Sequence, residues 1–215
     1  MVAGNWDQSY GPSKIKDIDK SDYHYMKAFY DWWLGENINA KITKGTKNVK
    51  NCMFKNHLFK GMNFIGYGLV SGTENIRKKK KKLNLTKKQF EKLKKAHDKI
   101  FRKLSSVFTY RNQKYPTLFI THNIPYKTKL DKIKNKDSPK HNTHGGSSIA
   151  RKICKIYKPL LCVGGHIHEG QGQDKIGKTT VINPGFGKDA QVLIEKDEKK
   201  RKIKNIDFYE NRKEK

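Results

Sequence analysis

Cysteines and long apolar runs are scarce in this chain. Its 215 residues include only three cysteines, Cys52, Cys154 and Cys162, which are far apart and form no C-x-x-C pair. An odd, scattered set argues against a disulfide framework and for a reducing compartment. No stretch is long and apolar enough to span a membrane, and no signal-peptide pattern opens the chain. We therefore expect a cytoplasmic protein with no membrane partner.

Acidic residues are also few compared with basic ones. The chain has 20 Asp and Glu against 48 Lys and Arg, which gives a formal net charge of +28. Clustered cations favour nucleic-acid phosphates as partners. The excess is almost all lysine, however, whereas phosphate and base recognition favours the bidentate guanidinium of arginine. We favour a solvated lysine surface and keep nucleic-acid binding as the alternative. In either case the electrostatic field of this positive net charge attracts anionic substrates.

The pattern of apolar residues predicts one mixed α/β domain over residues 1–215, since no repeat or Pro/Ser-rich linker divides the chain. Helices are predicted at three places: 21–34, after a capping box at Thr86–Gln89, and 147–157 with Ile149, Ile153 and Ile156 facing inward. Short apolar runs predict strands followed by a C-terminal hairpin. These strands are predicted at 62–70, 117–122, 159–165 and 179–185.

Two lysine-rich stretches interrupt this pattern. Residues 76–82, "IRKKKKK", predict an exposed loop. Residues 127–144 are polar and predict a mobile loop. These Lys-rich loops are the segments through which nucleic acid would bind under the alternative interpretation.

Polar motifs follow the predicted strands at their ends. "THNIP" delivers His122, and "GGHIHE" delivers His166 and His168 after two glycines that we expect to permit a sharp exit from the strand. "GNWD" places Asn5 beside a glycine turn near the start. Loops at strand ends hold the ligands of open α/β folds. Imidazole binds Zn, Fe, Mn or Ni, and paired divalent ions can hold both oxygens of a phosphoryl displacement.

These motifs, in this order, resemble the calcineurin-like metallophosphoesterase family, in particular its small archaeal and bacterial branch of predicted phosphoesterases. The similar text is "GNWD", "THNIPYKTKLDKI" and "HGGSSIARKICKIYKPLLCVGGHIHEGQGQDKIGKTTVINPG". It is dense from Pro116 to Gly187 and thinner before Phe108. The resemblance implies an α/β fold in which a two-sheet β-sandwich is flanked by helices. It also implies metal-dependent hydrolysis of a phosphoester substrate at a centre of two divalent metal ions (Mn, Fe, Ni or Zn).

The resemblance also implies roles for single residues. Asn5, His122 and His166 match ligands of one metal, and His168 matches a ligand of the other. Trp6 stands where many relatives have a histidine that protonates the leaving group, so acid catalysis from position 6 is not expected. His144 lies where this branch often has a histidine, and both a substrate contact and a loop role are open for it.

Two family motifs are absent from the sequence. Neither the Asp-x-His motif after the first strand nor the Gly-Asp motif that bridges the metals occurs, so the chain resembles an N-terminally incomplete member. We expect a truncated enzyme with impaired hydrolysis. The alternative is a non-catalytic nucleic-acid-binding protein on a degenerate phosphoesterase scaffold.

Overall fold

The computed structural model describes residues 49–68, 74–76, 80–81, 84–196 and 201–210. The helix predicted at 21–34 and the "GNWD" motif, with Asn5 and Trp6, lie outside these described residues. Among the described helices, none is both long enough and apolar enough to cross a bilayer.

A six-stranded sheet forms the centre of the described fold. Its order is β1-β2-β3-β4-β6-β5, with β2, β3, β4 and β6 parallel and the two outer strands antiparallel to their neighbours. The carboxyl ends of the four parallel strands therefore meet at one edge of the sheet. The bounds are β1 Asn56–Phe59, β2 Met62–Tyr67, β3 Thr117–Asn123, β4 Leu161–Gly165, β5 Gly172–Ile176 and β6 Thr179–Asn183.

Two α-helices whose bounds fall within the described residues accompany this sheet. Helix α1, Lys87–Thr109, begins at the predicted capping box: the Gln89 amide donates to Thr86 Oγ1, and the Thr86 amide donates to Gln89 Oε1 at 2.9 Å. Helix α2, Ser148–Tyr157, is capped by the Ser147 hydroxyl, which accepts from the Ala150 amide at 2.9 Å. Both helix predictions are confirmed.

The inward face of α2 differs from the prediction at one position. Ile149 and Ile153 are buried as expected, but Ile156 is 51% exposed. Ala150 and Cys154 complete the buried face instead. The buried arc is thus centred between Ile153 and Ala150, and Ile156 lies at its margin in the last turn of the helix.

The core lies where the helices pack on the central strands. Phe108 of α1 meets Phe119 of β3 edge-on, with ring centroids 5.2 Å apart, and both side chains are fully buried. Each such burial contributes roughly 1.5–3 kcal/mol. All three cysteines are buried, and each is a thiol rather than half of a disulfide.

A second sheet confirms the predicted C-terminal hairpin. Strands β7, Lys188–Lys196, and β8, Arg201–Glu210, pair antiparallel along their length. Together with the six-stranded sheet and the two helices, this hairpin confirms the mixed α/β architecture with two sheets. Within the lysine run at 76–82, Ile76, Lys80 and Lys81 are helical, so the loop prediction is wrong at these described positions. Lys80 and Lys81 are exposed, as expected.

Candidate metal centre

Two predicted ligands meet at the carboxyl edge of the central sheet. His122 is the penultimate residue of β3, and His166 directly follows β4, its parallel neighbour. His122 Nε2 lies 3.1 Å from His166 Nδ1, and the ring centroids are 4.9 Å apart. The parallel pairing of two apolar strands therefore converts a separation of 44 residues in the sequence into a contact between two imidazoles.

The exit from β4 is sharp, but the strained residue is not the one that we expected. His166 itself adopts the left-handed conformation, with φ of 70°. That conformation costs a residue with a Cβ roughly 1–2 kcal/mol. Gly164 is required for a different reason, since a Cβ there would lie 2.6 Å from Thr121 Oγ1 of the adjacent strand. Backbone strain in a non-glycine residue is typical of functional sites.

Asn183, at the end of β6, holds the turn that carries the histidines. Its side chain is buried, and Nδ2 donates to the Ile167 carbonyl at 2.8 Å while Oδ1 accepts from the Gly185 amide at 2.9 Å. The motif "NPG" contributed only to the family resemblance, and no role was predicted for this asparagine. The available signal was an Asn-Pro-Gly turn directly after a buried strand.

Gly170 closes the same turn, and its substitution is a stability prediction. Its amide donates to the Ile167 carbonyl at 3.0 Å, and a Cβ at this position would lie 2.1 Å from the Leu130 carbonyl oxygen. Because a backbone atom cannot swing aside, we expect Gly170→Ala to destabilise the fold by about 2 kcal/mol or more. The measurement is the free energy of unfolding in urea.

Gly165 provides the matched control for that prediction. A Cβ on Gly165 would lie 3.8 Å from the His122 carbonyl oxygen, an ordinary contact. We expect Gly165→Ala to change the free energy of unfolding by less than about 1 kcal/mol. Equal losses in the two variants would contradict the assignment of Gly170 as a close-approach position.

The environment of His166 favours its neutral form. Burial lowers the pKa of His166, and the charges of His168 and Lys140 lower it further. A neutral imidazole has the free lone pair that a metal ligand needs. The depressed pKa keeps that lone pair available at more acidic pH than for an exposed histidine.

His168 has a different environment. Its side chain is exposed and stacks on Phe186, with centroids 4.5 Å apart and planes 22° from parallel. Within the described part of the chain, no group of three or more His, Cys, Asp or Glu side chains is placed to hold a metal ion. The described residues therefore bring together His122 and His166, and they place His168 beside an aromatic ring.

The spacing of the two paired nitrogens fits one divalent ion. Metal–imidazole bonds are about 2.0–2.1 Å long, so two neighbouring ligands of one ion lie about 3.0–3.4 Å apart. The separation of 3.1 Å between His122 Nε2 and His166 Nδ1 falls in this range. The pair thus fits as two ligands of one ion, and further ligands would have to come from other residues.

The Lys-rich loop, residues 127–144, lies against the turn that carries the histidines. The Glu169 carboxylate accepts from the Lys134 and Asn135 amides at 3.1 and 3.4 Å. At the end of the loop, Gly145 approaches the Ile167 side chain, where a Cβ would lie 3.1 Å from Cδ1. The loop contains a short 3-10 helix, Lys129–Asp131. Its mobility stays a prediction.

Asp131 organises this loop from inside, a role that was not predicted from the sequence. The side chain is fully buried, and Oδ2 accepts from the amides of Lys127 and Gly146 at 3.0 Å each. Oδ1 accepts from the Thr128 amide at 2.8 Å and lies 2.7 Å from His144 Nδ1. His144, whose side chain is 35% exposed, is therefore oriented by a buried carboxylate.

Comparison with known proteins identifies the family of this chain. The family model for calcineurin-like phosphoesterases matches residues 1–170. "Uncharacterized protein MJ1162" of Methanocaldococcus jannaschii is 38% identical over 91 residues, which are 41% of this chain and 38% of that protein. The match thus spans well under half of that relative's length.

Two crystal structures are similar at 15% identity. One covers 86% of this chain and 71% of its own, with a TM-score of 0.48. The other, TT1561 of Thermus thermophilus, covers 87% of this chain and 80% of its own, with a TM-score of 0.42. The family match extends over most of the sequence and includes the histidine motifs. The chain belongs to the calcineurin-like phosphoesterase family.

Proposed function

We propose that this protein hydrolyses phosphoester bonds with bound divalent metal ions, and that the edge formed by β3 and β4 is its catalytic site. The observation that carries the proposal is the contact between His122 and His166, two imidazoles 3.1 Å apart at the carboxyl ends of neighbouring parallel strands. His166 also adopts the left-handed conformation, and backbone strain of this kind is common at functional sites.

His122 and His166 would hold one ion, with Asn5 as a further ligand, and His168 would serve a second ion. An ion held by these residues would make a water nucleophile available near neutral pH and would offset the charge of the phosphoryl group. Asn183 and Gly170 fix the turn on which His166 stands, through their hydrogen bonds to the Ile167 carbonyl. This support would maintain the spacing between His122 Nε2 and His166 Nδ1.

Other residues of the chain would act on the substrate itself. The positive charge of Lys140 lowers the pKa of His166, and the same charge would act on an anionic phosphoester at this edge. His144 Nδ1 donates a hydrogen bond to the Asp131 carboxylate. The other ring nitrogen, Nε2, then remains available to contact the substrate, because the ring is partly exposed. We assign His144 a substrate contact. Its neighbour Gly145 lies against Ile167, between the two histidines of the turn.

The first test is metal-dependent hydrolysis. Protein dialysed against EDTA and then supplied with Mn, Ni, Fe or Zn should hydrolyse aryl phosphodiesters or monoesters at least about 100-fold faster than the metal-free protein. The measurement is release of p-nitrophenol from bis-p-nitrophenyl phosphate and p-nitrophenyl phosphate, with metal content determined in parallel. Metal-loaded protein that is inert to a broad panel of phosphoesters would contradict the proposed function.

A further inference from the structure

The Lys-rich loop concentrates cations beside the proposed catalytic edge. Six lysines of this loop, and only two aspartates, lie between residues 127 and 144, and one of the aspartates is the buried Asp131. The side chains of these six lysines are all exposed. They are Lys127, Lys129, Lys132, Lys134, Lys136 and Lys140.

Hydrogen bonds hold the backbone that carries these lysines. The amide of Lys134 is bound by Glu169, the residue after His168, and the amide of Lys129 is bound by the Asp174 carboxylate of β5 at 2.7 Å. On the other side, Arg151 of α2 donates to the Tyr126 and Lys127 carbonyls at 2.7 and 2.9 Å. The loop is thus held along the carboxyl edge of the sheet, next to the turn that carries His166.

We propose that the Lys-rich loop is a binding track for a phosphodiester chain, so that the substrate of this site is a nucleic acid and not an isolated small ester. The inference rests on the proposed function and names its substrate class. A single phosphate needs one or two cations, whereas six exposed lysines in one loop match the repeated charge of a polynucleotide backbone. Lysine ammonium groups on flexible stems bind phosphates without reading bases. We therefore expect weak dependence on sequence.

The track lacks features that would indicate a folded partner instead. The described side chains of residues 127–144 include no exposed large apolar residue, since Leu130 is buried and Ile133 is partly buried. Protein interfaces usually need an apolar centre. A surface that is positively charged and has no apolar centre favours a ligand bound through its phosphates over a folded protein.

The test compares two triple variants that remove the same charge from different places. Lys132, Lys134 and Lys136 are changed to Gln in the track variant. Lys114, Lys155 and Lys178, which are exposed and lie at the opposite edge of the sheet or at the end of α2, are changed to Gln in the control variant. Net charge falls equally in both, so only the position of the lost charge differs.

The expected result concerns a thymidine oligonucleotide of about 20 residues, its RNA counterpart, inorganic polyphosphate and bis-p-nitrophenyl phosphate. The track variant should lose about 10-fold or more in kcat/KM for the oligonucleotides but less than about 3-fold for the small ester, and the control variant should lose little for either. Metal-free protein provides a second readout. Its oligonucleotide affinity, measured by fluorescence anisotropy against salt, should depend less steeply on salt in the track variant.

Several outcomes would overturn this inference. Equal losses in the two triple variants would show that only net charge matters. Oligonucleotides that bind but are not hydrolysed, while the small ester is hydrolysed, would show that the track holds anions other than the substrate, and tighter binding of polyphosphate would support that conclusion. If the wild-type protein hydrolyses no phosphoester while binding nucleic acid, the proposed function fails as well, and the protein is a non-catalytic binding module.

Discussion

His166→Ala is expected to lower kcat/KM for bis-p-nitrophenyl phosphate by more than about 100-fold and to weaken metal binding by a similar factor. Loss of a residue that merely supports a ligand costs about 10- to 100-fold in metal affinity or activity, and loss of a ligand should cost more. His166 is one half of the imidazole pair at 3.1 Å, so its removal leaves His122 without its neighbour at this edge. The measurements are initial rates and calorimetric titration of EDTA-treated protein with Mn.

His57→Ala is the matched control for this prediction. His57 lies in β1, at the edge of the sheet, and its Nε2 contacts the Asn51 carbonyl at 2.7 Å. It is a half-buried histidine with a hydrogen-bond partner, as His166 is, but it has no second imidazole beside it in the described structure. Metal affinity and activity should therefore persist in His57→Ala. If the two variants bound Mn equally well, the metal centre would have to be placed elsewhere.

The strands that carry the site were predictable because their sequences are continuous apolar runs. Residues 117–122 and 159–165 read as buried strands, and they became β3 and β4 within two residues of those limits. The outer strands β1 and β5 were missed. Their sequences, "NHLF" and "GQDKI", are too polar and too short to show alternation, and they are strands because a neighbouring strand offers free backbone groups.

The convergence of His122 and His166 was also foreseeable, since motifs at the ends of successive parallel strands meet at one edge. The residues that support these histidines could not be foreseen from the sequence. Asp131 and Asn183 are polar residues that look like ordinary loop and turn positions in the sequence, and only the folded structure shows that their side chains are buried. Their importance comes from hydrogen bonds to backbone groups distant in the chain, which no local pattern records.

Glu74 is a third such residue, and it ties the segment after β2 to the start of α2. Its carboxylate is buried and accepts from the Tyr67 hydroxyl at 2.8 Å, the Ser147 hydroxyl at 2.6 Å and the amides of Ser148 and Ile149 at 2.8 and 3.2 Å. Burial raises the pKa of Tyr67, and the nearby Glu74 raises it further, so this phenol stays a donor. The negative charge also lies at the positive end of the helix.

Among the stability variants proposed, removal of this carboxylate should therefore lower the free energy of unfolding the most. We expect Glu74→Ala to lower the free energy of unfolding by about 3–5 kcal/mol, because it leaves several buried donors without an acceptor. Urea unfolding followed by circular dichroism measures the loss. The same change should loosen the segment that leads from His144 into α2, since Asn75 donates to the Gly146 carbonyl and its own amide donates to Ser148 Oγ.

Two variants separate burial from hydrogen bonding in that result. Glu74→Gln keeps the shape and one acceptor oxygen, so we expect an intermediate loss of about 1–3 kcal/mol. Glu169→Ala removes a carboxylate that also accepts from two backbone amides, but at an exposed position where water can replace it, and it should cost less than about 1 kcal/mol. If Glu169→Ala were as destabilising as Glu74→Ala, burial of the acceptor would not be the cause of the loss.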